Sequence, residues 1–280
     1  MAGLKTPDRL AYRLLREYPL EAARTLEKSP IEEVVTFLSG ADIVEIPEVL
    51  RFMNRDVAAA CLSRWPDQRI DEIIASLSPR VSCSLLRSLG ATEREAVLKA
   101  CGKAAAGSIR RLMQFPENTA GALMDPNPPA LPSDEDVSSA QEYMAKVKSS
   151  EIYYLYITNR DGTLAGVCGV RDLYQAVKHS PLRQVMRKPV SIIPALSDRN
   201  AIITHPGWQT YHALPVVGKN EFLLGVISYR NLREIERENS VQDNAVPLFL
   251  AVGEMYWWTL THLMEGIMRH LQPENKRKDG

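Results

Sequence analysis

The sequence predicts an α+β protein of several domains: an all-α superhelical bundle, then two tandem β-α-β-β-α repeats, then a C-terminal helix. Three observations predict it. Gly166-Val167-Cys168-Gly169-Val170-Arg171-Asp172-Leu173 returns as Gly225-Val226-Ile227-Ser228-Tyr229-Arg230-Asn231-Leu232, with Gly, Val, Arg and Leu in register (166/225, 167/226, 171/230, 173/232); a duplication of that length marks a repeated supersecondary unit. The stretch from about residue 7 to 115 breaks into short amphipathic pieces punctuated by Ser-Pro and Gly. Beyond residue 244, Phe249, Gly253, Tyr256, Leu260, Leu263, Ile267 and Leu271 recur near the spacing of an a/d seam.

In the helical half, Ser29-Pro30 predicts a helix start, with Ser as N-cap, Pro at the first helical position and Glu32 and Glu33 in the positive first turn. Val34, Val35, Phe37 and Leu38 supply its apolar face and Gly40 its end. Ser78-Pro79 starts another, with Val81, Leu85, Leu86 and Leu89 inward and Gly90 as terminator. Thr92 and Glu95 have the spacing of a capping box. Each piece is too short to stand alone, so stacked helical hairpins are expected. Glu45, Glu48, Asp67, Asp71 and Glu72 read as a solvated rim, and Trp65-Pro66 as a packed helix end.

Each repeat reads as a short strand (190–193 in the second copy), a helix, a strand-turn-strand and a closing helix that opens at Arg171 or Arg230. Ser133 with Asp136 resembles a capping box, and Ser197-Asp198 answers Ser133-Asp134. Leu155 and Ile157 answer Leu214 and Val216, each pair followed by a turn (159–162 and 218–220). Each unit leaves one apolar sheet face, and pairing the two buries both. His205-Pro206-Gly207 interrupts the first helix of the second copy.

Lys plus Arg equals Asp plus Glu, 34 against 34, so no net field favours nucleic acid. Lys276-Arg277-Lys278 reads as a solvated tail. Cys61, Cys83, Cys101 and Cys168 show no C-x-x-C spacing, which predicts free buried thiols in a reducing cytosol. Lys5, Asp8 and Arg9 break any signal-peptide core, and no apolar run reaches the roughly eighteen residues of a bilayer span, so a cytoplasmic protein is expected. Gly162, Gly166 and Gly169 do not form G-x-G-x-x-G, no phosphate-loop motif occurs, and His262 with Glu265 is not a metal-ligand spacing. Glu265 pairs more simply with Arg269 one turn on. No nucleophile stands at a recognised distance from a base, and no enzyme is expected.

The element order, the GV-x-[ST]-x-x-[DN]-L ending and the tandem copy resemble the cystathionine β-synthase (CBS) domain pair, over residues 119–236. The join Leu112-Met113-Gln114-Phe115-Pro116-Glu117-Asn118-Thr119-Ala120-Gly121-Ala122-Leu123-Met124 resembles the junction of the MgtE magnesium-transporter family, where a helical superhelix passes into such a pair. Tyr153-Tyr154-Leu155-Tyr156-Ile157 and His212-Ala213-Leu214-Pro215-Val216-Val217 are similar to that family's two CBS copies. The resemblance implies the cytosolic part of that family without its membrane domain. It divides the chain into a helical domain at 1–118, a CBS pair at 119–238 (copies 119–180 and 181–238) and a C-terminal helix and tail at 239–280.

In such pairs the clefts between copies hold adenine nucleotides, so the resemblance implies ATP, ADP or AMP as a regulatory ligand. Carried over by position, Asp172 meets the ribose, Arg171 the phosphate, Tyr154 and Tyr211 the adenine, and Ser191 lines the same cleft. Gly169 replaces the usual hydroxyl there. The second cleft keeps Ser228, and Asn231 replaces the acid. The family's magnesium sensing would fall on Asp198 and Glu234, while Asn200, Thr210, Asn231, Asn239 and Gln242 stand where further carboxylates are expected and Arg230 and Arg233 add opposing charge. Expected partners are a second copy of the chain and, through the C-terminal helix, a membrane cation transporter or another protein. The bland alternative is a dimeric adaptor with degenerate clefts, in which Asp172 only caps a helix and the tyrosines are core.

Overall fold

The computed structural model describes residues 9–147, 153–188 and 191–236. The chain divides into two compact units, Met1–Asn231 and Leu232–Gly280. In the second only 232–236 is described, and it is helical; the predicted C-terminal helix, Asn239 and Gln242 lie outside the described residues.

The first unit begins with α1 (Arg9–Glu17), α2 (Pro19–Leu26), α3 (Ile31–Ser39), α4 (Ile46–Phe52), α5 (Arg55–Leu62), α6 (Asp67–Ser76), α7 (Pro79–Arg87), α8 (Ala91–Ala100) and α9 (Lys103–Met113). Each runs three turns or fewer, so tertiary burial must hold it. From α2 onward each helix packs on the second one after it: α2 on α4, α3 on α5, and so on to α7 on α9. That is the superhelical array the sequence predicts. Leu38, Val49, Leu62, Ile73, Leu86, Ile109 and Leu112 are wholly or almost wholly buried along it.

Its caps reach across helices. Arg69 Nη2 donates to Leu38 O and Ala41 O at 3.2 and 2.8 Å, closing the end of α3. Arg87 Nη2 does the same for α9, donating to Leu112 O and Phe115 O at 3.2 and 2.7 Å. At the other polarity Asp71 Oδ1 accepts from Gly102 N at 2.7 Å, just ahead of α9, and Glu27 accepts from Asn54 N ahead of α5. Helix ends leave several backbone groups unpaired, and these long side chains satisfy them.

Local caps depart from expectation in three places. Ser78 caps α7 as predicted, accepting from Val81 N at 3.4 Å. Before α3, however, the N-cap is Pro30 and no side chain caps it. The Thr92–Glu95 box does not form: α8 starts at Ala91 behind Gly90, and Glu95 accepts instead from Arg110 at 2.9 Å. In the first repeat Asp136, not Ser133, is the N-cap, accepting from Ser139 N at 2.7 Å. The backbone amide of Ser133 donates instead to Thr158 O at 2.9 Å.

A single turn, α10 (Ala120–Leu123), leads into β1 (Ala130–Pro132), α11 (Val137–Lys146), β2 (Tyr154–Thr158), β3 (Leu164–Gly169) and α12 (Val170–Gln175). The second copy follows with α13 (Leu182–Val185), β4 (Ile193–Pro194), α14 (Arg199–Ile203), β5 (Ala213–Val217) and β6 (Leu223–Ser228), and its closing helix opens at residue 229. Val190, predicted to open the strand, lies outside the described residues. As the His205-Pro206-Gly207 interruption predicts, α14 ends at Ile203 and a 3-10 turn, Pro206–Gln209, follows.

The two sheets share one topology, β1-β2-β3 and β4-β5-β6, with a parallel first pair and an antiparallel second pair. Register repeats too: Tyr156 faces Val167 as Pro215 faces Val226, and each hairpin bulges at the same step, 157/158 and 216/217. One face of the first sheet packs Leu155, Ile157 and Cys168 against Val137, Ala140 and Leu173. The opposite face carries Tyr156 and Leu164 onto Val217 of the second copy.

One feature of the pairing has no counterpart in the expected units. Asp125, ahead of the first copy, pairs antiparallel with β6 of the second: Asp125 N donates to Val226 O at 2.8 Å and Val226 N to Asp125 O at 2.9 Å. Arg187, ahead of β4, pairs likewise with β3 of the first copy, exchanging two bonds of 2.8 Å with Val167. Each sheet is therefore completed by the segment that precedes the other copy's first strand.

All four cysteines are free and buried. Burial pushes the Cys61, Cys101 and Cys168 thiols up to about 11 and raises Cys83 as well. A thiol at about 11 is roughly one part in a thousand thiolate at pH 8, and the thiolate is the reactive form. Native protein treated with a thiol-reactive chromogen at pH 8 is therefore expected to label slowly, with four thiols released on denaturation. A fast native phase from any of the four would contradict their burial.

Candidate functional site

The two copies face each other through sheet surfaces that carry tyrosines, and the strand period puts them there. On β2, Tyr154 and Tyr156 point to one face and Leu155 to the other. Across the pair, Tyr154 and Tyr211 meet edge to face with ring centroids 6.3 Å apart, and Tyr153 lies 5.1 Å from the His212 ring. Two clefts result, related by the repeat.

The first cleft collects Tyr154, Ser191 and Tyr211 beside Val167 and Pro215 but encloses only about 10 Å³. Asp172 stands in the first turn of α12 and is ion-paired with Arg187, Nη2 to Oδ2 at 3.0 Å. Neither Asp172 nor the exposed Arg171 is among the described residues lining that space. Gly169 is the N-cap of α12, with no side chain to cap it.

The second cleft is open, at about 160 Å³. It brings Ser228 and Asn231 together with Tyr153, Tyr154, Tyr156 and Asp125. Ser228 Oγ accepts from Asn231 N at 3.3 Å, so the hydroxyl that ends β6 also caps the helix behind it. Asp125 Oδ1 accepts from Asn127 N at 2.9 Å, which fixes its carboxylate on the strap. The two straps carry different residues. Where the first has the long Arg187 tied to Asp172, the second has the short Asp125 facing a neutral Asn231.

Tyr156 is the residue the sequence reading missed. It is 2% exposed, lines the open cleft, and its hydroxyl has no hydrogen-bond partner. Burial raises its phenol far above the usual range, so the group stays protonated and able to donate. The signal was present in Tyr154-Leu155-Tyr156, where alternation puts the second tyrosine on the same face as the first.

The two predicted metal residues are placed as follows. Asp198 caps α14, its Oδ1 accepting from Ala201 N at 2.8 Å; Glu234 belongs to the second unit and is half-buried. Among the described residues no group of three or more His, Cys, Asp or Glu side chains is placed to hold a metal ion. Among them also, no helix is long and apolar enough to cross a membrane.

Comparison with known proteins places these features. The profile of the MgtE intracellular N domain matches residues 17–118, and that of the CBS domain matches 120–179. The magnesium transporter MgtE of Bacillus subtilis is 21% identical over 230 residues, 80% of this chain and 50% of the transporter. The chain spans half or less of the length of the curated relatives it matches. Among solved structures, the cytosolic domain of the Mg2+ channel MgtE in complex with ATP superposes with a TM-score of 0.55 at 19% identity, covering 80% of this chain and 99% of that one. The soluble part of a magnesium transporter gives 0.57 at 17%, covering 82% and 96%. At these identities the likeness is one of fold.

Proposed function

From a chain that carries an MgtE intracellular N domain followed by a CBS domain, we infer a cytoplasmic regulatory protein, without catalysis of its own, that takes an adenine nucleotide between its paired sheets. We read its parts as a helical domain to about residue 118, paired copies at 119–180 and 181–238, and a C-terminal helix beyond. The observation that carries the reading is the buried, unpartnered Tyr156 hydroxyl in the wall of the open cleft with Ser228 and Asn231. An unpaired buried hydroxyl costs stability unless a ligand answers it. Tyrosine faces suit a flat base, and Asn231 suits a ribose hydroxyl. The fold relative solved with ATP gives the nucleotide class its support. Occupancy would be relayed to the helical domain, to a second copy, or to a membrane cation transporter. Asp198 and Glu234 are the carboxylates through which a magnesium response would run, and Asp172 with Arg171 would serve the first cleft once the Arg187 pair opened.

Calorimetric titration with ATP, ADP and AMP tests this. At least one is expected to bind, and Asn231→Ala or Tyr156→Phe to weaken it about three- to ten-fold, the worth of one hydrogen bond. Tyr156→Phe should also raise the thermal midpoint of the unliganded protein, while Asp172→Ala stays within about two-fold of wild type because its carboxylate is already paired. No heat with any of the three nucleotides sinks the reading, and a loss confined to Asp172→Ala moves the ligand to the first cleft. The closed first cleft favours a second reading, a dimeric adaptor, which that absence of heat would leave standing.

A further inference from the structure

A groove of about 480 Å³ runs between the α6–α7 turn and the N-terminal part of α9, far larger than either cleft between the sheets. Its described lining includes the half-buried Leu77 and Pro79 and the exposed Ala104, with Ile74 and Ile109 buried beneath, and two exposed cations, Lys103 and Arg111. No described lining residue is acidic. Two carboxylates bonded to residues beside it are already engaged: Asp71 holds Gly102 N and Asp125 holds Asn127 N. Arg111 Nη2 donates to Asn127 Oδ1 at 2.8 Å, which fixes its guanidinium at the groove's edge.

Two choices of residue run against the needs of the helix itself. Lys103 places a cation in the first turn of α9, which has no acidic residue there, where the helix field disfavours positive charge. Gly107 sits mid-helix, where glycine is a poor helix former, yet a Cβ added to it would meet nothing within 4 Å. Packing therefore does not require glycine there, and the open space beside it is the groove, which Gly107 lines. Ala104, Gly107 and Arg111 share this face at helical spacing. The amides of 103, 104 and 105 precede the first intrahelical bond of α9, from Ala106 N to Gly102 O. Independently, Ser82 of α7 is fully buried, lines the same groove, and its Oγ has no hydrogen-bond partner.

We propose that this groove binds a small organic anion, with a phosphate or carboxylate head at Lys103, the first-turn amides of α9 and Arg111, and an apolar body along Leu77, Pro79 and Ala104. Concave, mostly apolar sites of this size with a few convergent polar groups are the usual form of small-molecule sites, and helix N-termini favour anions. The groove shares Asn127 with the lining of the open cleft, but the proposal does not rest on nucleotide binding there.

The test is calorimetric titration of the full chain with phenyl phosphate, with benzoate and inorganic phosphate as the other arms. Phenyl phosphate or benzoate is expected to bind once per chain and saturably, whichever head fits better identifying the natural class. The preferred one is expected to bind about ten-fold or more tighter than inorganic phosphate, because burial of a ring adds what a bare ion lacks. Gly107→Leu exchanges a poor helix former for a good one, so it should fold at least as well while filling the groove; about ten-fold or greater loss of binding is expected. Lys103→Gln should weaken binding about five-fold, and Tyr156→Phe should leave it unchanged. The proposal is overturned by an absence of saturable binding, by wild-type affinity in Gly107→Leu, or by inorganic phosphate binding as tightly as phenyl phosphate and benzoate.

Discussion

Gly225→Ala is expected to destabilise the protein by about 3 kcal/mol and to lower its thermal midpoint by about 6–12 °C. The reason is the strap that crosses β6. A Cβ on Gly225 would stand 2.4 Å from Asp125 O and 2.6 Å from Met124 Sδ. The sulfur can swing away, but the carbonyl is held by Val226 N at 2.9 Å. Accommodation must therefore displace the strap and weaken both Asp125–Val226 bonds, adding lost hydrogen bonding to overpacking. Gly218→Ala is the control: the three atoms nearest its Cβ all belong to the Leu224 side chain, the first at 3.0 Å, and about 1 kcal/mol or less is expected. Differential scanning calorimetry of the two variants decides it. Equal shifts would mean that the strap contact is not what demands glycine at 225.

Leu155→Ala is expected to cost about 2–5 kcal/mol, read as a lower midpoint in urea at unchanged slope. Leu155 is fully buried against Val137, Ala140 and Leu173. Truncation leaves a cavity under β2, whose other face presents Tyr154 and Tyr156 to the clefts. Leu155→Met keeps the volume and should cost less than about 1.5 kcal/mol. A small loss in Leu155→Ala would show that the sheet collapses freely onto its helices and holds its tyrosines by other means.

The duplication was legible because its signals are local. Gly166 and Gly225, Leu155 and Leu214, and the two turns are repeated words in the sequence, and the structure repeats their register and even their bulges. The superhelix was legible from piece length and Ser-Pro starts. What escaped depends on distant partners. Arg69 and Arg87 carry no local sign of their role, because each closes a helix end 25 to 31 residues away in the chain. Glu95 looked like the far half of a capping box because nothing nearby revealed Arg110 as the better partner. Asp172 and Asn231 occupy matching positions, but their surroundings differ: Asp172 pairs with Arg187, while Asn231 shares the open cleft with Asp125, and both Arg187 and Asp125 come from segments ahead of the opposite copy. The straps did leave a trace: Met124 and Met186 precede Asp125 and Arg187 at a common offset, and each methionine packs on the repeated glycine. Two matching residues in a linker are too few to be read without the fold.

The exchanged straps also bear on how the chain must be cut and how it folds. Ala120 N donates to Ser197 O and Gly121 N to Ala195 O, so a stretch synthesised some seventy-five residues before its acceptors belongs physically to the later sheet. Pairings of that span raise contact order and slow folding. A truncation starting at residue 130 would contain every strand of both copies and still lack the edge of the second. A version starting at or before residue 119 keeps that edge, and it is expected to melt higher than one starting at residue 130.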